Sequence, residues 1–141
     1  MSVLQEQLGP MCIEGMPLFV KGIPMFESPR LIIHEKDGAE VAALMGESDA
    51  IMLQGHGAAT VGADMEEAML NMLHLEEQAK MNYLAFCAIG RDHAVITPDQ
   101  REEFVANMRS MSEAEHLKPE LAPTPRKPSG IWAHYAEMAG D

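Results

Sequence analysis

The chain is poor in aromatic residues, in positive charge and in cysteine. Among its 141 residues are one Trp, two Tyr and four Phe. Lys and Arg number 10 against 22 Asp and Glu, a formal net charge of −12. A phosphate backbone or an anionic bilayer attracts basic surfaces, so the balance argues against nucleic acid or membrane as partner. The two cysteines, Cys12 and Cys87, are too few for a disulfide framework. No apolar run is long enough to span a bilayer. The start, Met-Ser-Val-Leu-Gln-Glu-Gln, lacks the basic and apolar regions of a signal peptide. A reducing cytoplasm is the expected compartment.

Hydrophobic residues at 47% indicate a globular chain, and its length suits one domain with a sizeable core. Methionine is abundant, at 13 residues. Its flexible thioether suits irregular cores and subunit contacts.

Pro10, Pro17, Pro24 and Pro29 alternate with Gly9, Gly15 and Gly22, which argues against a long helix in residues 1–30. Short extended pieces are expected at Leu18–Val20 and Met25–Phe26. Asp37–Met45 reads as a short helix stopped by Gly46. Ala50–Leu53 is a continuous apolar run, expected to be a strand buried on both faces. The Gly55-His56-Gly57 loop follows, then a second strand, Ala58–Val61. Asp64 caps a long helix to Ile89, with Glu67 completing a capping-box-like start and Gly90 ending it. Its apolar stripe is Met65, Ala68, Met69, Met72, Leu75, Ala79 and Phe86. Thr97-Pro98-Asp-Gln100 starts another helix, with Phe104, Val105, Met108 and Met111 facing one way. Residues 118–128 form a proline-rich linker, and residues 129–141 an amphipathic tail helix carrying Trp132, His134 and Tyr135. The expected organisation is therefore 1–117, 118–128 and 129–141.

His56 is the leading candidate for chemistry. A neutral imidazole ligates zinc, iron or manganese, and flanking glycines permit a tight turn and close approach of a ligand. One histidine does not make a metal site, and a hydrogen-bonded turn histidine is the bland alternative. Glu76 and Glu77 read as solvated helix charges, with Glu76 near enough to the apolar stripe to orient a metal ligand. His74 reads as a helix-contact residue and Cys87 as core.

Gln54-Gly-His-Gly-Ala-Ala-Thr-Val-Gly62, Glu66-Glu-Ala68 and His74-Leu-Glu-Glu-Gln-Ala79 together resemble the C-terminal signature of the class II aldolase/adducin family. The resemblance covers roughly residues 16–90, and its Gly-His-Gly form is most similar to the decarboxylase branch. It implies a three-layer α/β/α fold with a central, mainly antiparallel sheet. It implies a divalent metal, zinc before manganese or iron, on three histidines. One of these falls on His56, with Gly55 and Gly57 leaving room for substrate. It also implies a carbon–carbon lyase, an aldolase or a decarboxylase, in which the metal stabilises an enolate-like intermediate. The aromatic tail, with Trp132 and Tyr135, would close over a neighbouring copy in a homo-oligomer, usually a tetramer.

The family's His-x-His pair and its acidic catalytic residue have no counterpart here. His34, His74, His93, His116 and His134 do not replace the pair by spacing. Three readings account for this: a longer reading frame, a partner chain that supplies the N-terminal half, or a degenerate relative. The first two leave a lyase. The third leaves a non-catalytic, adducin-like structural subunit. Lys21, Arg30 and Lys36 are the only cations before His56, which favours a small carboxylated substrate over a sugar phosphate.

Overall fold

The computed structural model describes residues 8–115 and 130–140. The expected linker at 118–128 lies outside the described residues. The chain divides into two compact units, Met1–Ile96 and Thr97–Asp141.

The first unit opens with α1 (Met16–Val20), where a short extended piece was expected. The correction has a local cause. Pro17 sits in the first turn of α1, where its missing N–H costs nothing and its fixed φ suits a helix. Met16, Leu18 and Phe19 are buried. Strand β1 (Met25–Phe26) and helix α2 (Glu35–Met45) follow. Gly46, at φ +57, ends α2 as expected.

Strands β2 (Ala50–Leu53) and β3 (Gly57–Thr60) form a hairpin. The sheet order is β1-β2-β3, with β1 parallel to β2 and β3 antiparallel to it. A mainly antiparallel sheet was expected. The parallel pair arises because β1 and β2 are joined through α2, the crossover that parallel strands require. Ala50, Ile51 and Met52 are all buried, so β2 is covered on both faces. On one face Ala50 and Met52 pack with Leu18, Phe19 and Leu75, flanked by Met25, Ala58 and Met72. Helices and a small sheet thus make an α/β fold.

Helix α3 (Met65–Ile89) has its expected bounds. Asp64 accepts from the Glu67 N–H at 2.9 Å, while the Glu67 carboxylate takes the N–H of Ala63 rather than that of the cap. Thr60 Oγ1 donates to Ala68 O and Asn71 Nδ2 to Val61 O, both at 2.8 Å, which ties the end of β3 to α3. Gly62 permits this contact. A Cβ there would lie 2.6 Å from the backbone nitrogen of Ala68. Backbone cannot swing aside as a side chain can. Gly62→Ala is expected to destabilise by roughly 1–3 kcal/mol, read as a lower urea midpoint.

The buried face of α3 differs from the expected apolar stripe. Met65 is 79% exposed, and Cys87 is exposed rather than core. The buried positions are Leu75, Gln78 and Asn82, one helical face of which two members are amides. Both amides are fully buried and bond the incoming N-terminal segment. Gly9 N–H donates to Asn82 Oδ1 at 3.2 Å, and Asn82 Nδ2 donates to Gly9 O and to Gln78 O, each at 2.8 Å. Met11 N–H donates to Gln78 Oε1 at 2.6 Å, and Gln78 Nε2 reaches Cys12 Sγ at 2.8 Å. His93, just past the 3-10 turn Gly90–Asp92, bridges Gly90 O and Asn82 Oδ1. Gly15 is small for the same reason: a Cβ would meet the Gln78 side chain at 2.4 Å.

In the second unit, α4 (Pro98–Glu113) begins with the expected capping box of Thr97 and Gln100. Phe104 and Val105 are half-buried, whereas Met108 and Met111 are exposed. Helix α5 (Gly130–Ala139) matches the expected tail helix. Among the described residues no helix is long and apolar enough to cross a membrane.

Candidate functional site

The β2–β3 connection is short because Leu53 pairs with Gly57, leaving Gln54, Gly55 and His56 as the loop. His56 N–H donates to Leu53 O at 3.0 Å. Gly55 then occupies the third position of a four-residue turn with φ +75, the place a type II turn reserves for glycine. Gly57 has φ +120 with nothing near a notional Cβ. Its requirement for glycine is conformational, not steric. The result is an exposed imidazole on a tight turn at the C-terminal end of a buried strand.

One ring nitrogen of His56 is already committed. Nε2 lies 2.9 Å from the backbone oxygen of Pro29. A carbonyl only accepts, so Nε2 carries the proton in this bond, and the neutral ring keeps its lone pair on Nδ1. The Pro29 ring also covers the turn, 3.8 Å from where a Gly55 Cβ would stand. Arg30 lies beside it, with its guanidinium 5.0 Å over the Phe26 ring. It faces Asp37 at 3.6 Å and pairs closely with Glu40. This cation is therefore engaged by two carboxylates of α2.

Gly55, His56 and Gly57 come together as the sequence suggests. Glu76 is exposed on α3 and makes no hydrogen bond to His56. Trp132 and Tyr135 are half-buried on α5, in the second unit. The Tyr135 ring lies 5.7 Å from that of His134. Among the described residues no three His, Cys, Asp or Glu side chains are placed to hold a metal ion. On their own, these residues do not fit a divalent metal: His56 is one donor where a tetrahedral ion needs three or four.

Two titratable groups elsewhere are perturbed. The Glu14 carboxyl is held below its ordinary range by its own backbone N–H, then by the Cys12 thiol and the nearby His74. The Tyr83 hydroxyl is raised by its hydrogen bond and electrostatic coupling to Cys87, one turn along α3. Neither group is bonded to the His56 turn.

Sequence reasoning missed Pro29 as the partner of His56, and the pairing of the adjacent Arg30 with Asp37 and Glu40. The available signal was an Arg seven residues before one carboxylate and ten before another. That pattern does not say which helix it will meet.

Residues 1–83 match the family model described as Class II Aldolase and Adducin N-terminal domain. The chain is similar to a putative aldolase class 2 protein of Caulobacter vibrioides, at 29% identity over 59% of this chain and 35% of that protein. It is also similar to a 3,4-dihydroxyphthalate decarboxylase of Rhodococcus jostii, at 29% identity over 62% of this chain and 36% of that one. A second 3,4-dihydroxyphthalate decarboxylase, from Terrabacter, matches at 27% identity over 53% of this chain and 31% of that one. The crystal structure of an aldolase II superfamily protein from Pseudomonas syringae shares the fold. Its TM-score is 0.63 at 15% identity, covering 99% of this chain and 52% of that one. The chain thus spans about a third of the length of the curated relatives it matches and about half of the solved structure.

Proposed function

The chain belongs to the class II aldolase and adducin family, and from that premise we propose that it is one part of a carbon–carbon lyase. In this reading His56 is one ligand of a divalent metal, zinc first, and the remaining ligands come from residues outside those described. A decarboxylase acting on a small aromatic carboxylate is favoured over an aldolase acting on a sugar phosphate. Two of the similar proteins are named as decarboxylases of 3,4-dihydroxyphthalate. Arg30, the residue after the Pro29 that bonds His56, is already paired with carboxylates.

The observation that carries the reading is the turn itself. An exposed imidazole stands between two positive-φ glycines, with one nitrogen tied to the chain and the other open. Presenting that donor is this chain's own share of the work. Trp132 and Tyr135, on a separate unit, suit a cover over the site of a neighbouring copy in a homo-oligomer. Glu76 would act only through another residue.

The test uses the protein in its complete assembly, with any partner chain present. Metal content is measured by plasma mass spectrometry, and carbon dioxide release is followed with 3,4-dihydroxyphthalate and related aromatic acids. About one metal per site with turnover supports the proposal. A second reading, an adducin-like structural subunit, draws on the lack of a three-ligand cluster among the described residues. It expects neither metal nor turnover in the same assembly.

A further inference from the structure

Helix α3 buries one narrow face in the fold, at Leu75, Gln78 and Asn82. At 3.6 residues per turn, Met69, Leu73, Glu76, Lys80, Tyr83 and Cys87 line the side roughly opposite. Their spacing alternates between four and three, the repeat of a seam along which two helices pack. Leu73 is half-buried and the other five are exposed. The Tyr83 hydroxyl bonds the Cys87 thiol one turn on, so both polar tips find a partner within the helix. The two ends of the seam therefore offer apolar and sulfur surface, and its middle offers one acid and one base. Lys80 is the single Lys or Arg of α3. Among the described residues neither Glu76 nor Lys80 has an ion pair.

Charge decides what this seam fits. Read in reverse, it is its own complement. About a twofold axis midway between Glu76 and Lys80, Glu76 of each copy meets Lys80 of the other, Leu73 meets Tyr83, and Met69 meets Cys87. A twofold interface makes each of these contacts twice. A parallel pair would set Glu76 on Glu76 and Lys80 on Lys80, so the charges fix direction as well as register. The chain carries a net charge of −12, so a second copy is attracted only where a base faces an acid. We propose that the exposed side of α3 docks antiparallel on the same helix of a second copy, through reciprocal Glu76–Lys80 pairs flanked by Leu73–Tyr83 and Met69–Cys87 contacts. The proposal stands on α3 and is independent of what His56 does.

Two measurements on the whole chain test it. Sedimentation across a dilution series is expected to show a monomer–dimer equilibrium. Removing one charge loses only a weak exposed pair, so charge reversal rather than truncation is read. Lys80→Glu and Glu76→Lys each set like charges in both pairs and are expected to weaken dimerisation about tenfold. The double variant Glu76→Lys/Lys80→Glu restores both attractions and the wild-type equilibrium. An equimolar mixture of the two single variants should form the mixed dimer. Register is read from Met69→Cys, treated with oxidised glutathione. The new thiol and Cys87 stand about 27 Å apart along one helix, beyond the reach of a disulfide, so a 69–87 link joins two copies. A covalent dimer carrying that link is expected, mapped by peptide mass spectrometry. A monomer at every concentration overturns the proposal. So does a dimer indifferent to the single reversals, a double variant no better than either single one, or links that run 69–69 or 87–87.

Discussion

Asn82→Ala is expected to destabilise the first unit by about 2–4 kcal/mol, the largest single-residue loss of stability anticipated outside the apolar core. Asn82 is fully buried, yet it contributes no apolar surface. It closes a reciprocal pair of bonds with the backbone of Gly9, 73 residues away, and takes the ring of His93. Truncation leaves the Gly9 N–H and C=O without their partner. Gly9 is half-buried, so each of its groups left unsatisfied costs toward the lower end of the roughly 1–3 kcal/mol of a fully buried one. The neighbouring bonds of Gln78 to Met11 and Cys12 would then anchor the segment alone. Urea unfolding gives the comparison, with Glu76→Ala on the exposed side of the same helix expected within about 0.5 kcal/mol of wild type. An Asn82→Ala midpoint indistinguishable from that control would show that the amide network holds nothing together.

The second large effect falls on activity rather than stability. His56→Ala, in the complete assembly, is expected to lower metal affinity and turnover by more than about 100-fold. Losing an outer partner of a ligand already costs 10- to 100-fold, and His56 is proposed as the ligand itself. Stability should move by less than about 0.5 kcal/mol, because the ring is exposed and makes one side-chain hydrogen bond. The two substitutions therefore separate cleanly, one acting on the fold and the other on chemistry. Full metal content and turnover in His56→Ala would remove the lyase role from this turn.

Much of the fold was legible because its signals are local. Asp64 and Gly90 bound α3 where a side-chain cap and a helix-stopping glycine demand it. Thr97, Pro98 and Gln100 start α4 by the same local chemistry. The hairpin around His56 follows from an apolar run meeting two glycines whose φ angles are positive. The failures were also physical. Leu18–Val20 looked extended because prolines were read as helix breakers, yet Pro17 in a first turn begins a helix. The apolar stripe of α3 misplaced the buried face, since Met65 at its start is exposed while Gln78 and Asn82 are buried. Polar residues enter a core when their hydrogen bonds are met, and those partners lie 66 to 73 residues away in the chain.

The sequence by itself determined the order of elements, their caps and stops, and the placing of His56 between two glycines. Each of these depends on interactions within a few residues. Only the tertiary structure decided that the Pro29 carbonyl takes Nε2 of His56 from 27 residues away. Only there does Arg30 meet Phe26, Asp37 and Glu40 together, and only there do two buried amides grip the N-terminal segment. Such pairings leave no periodic trace, because hydrogen bonds select partners by position in space rather than by spacing along the chain.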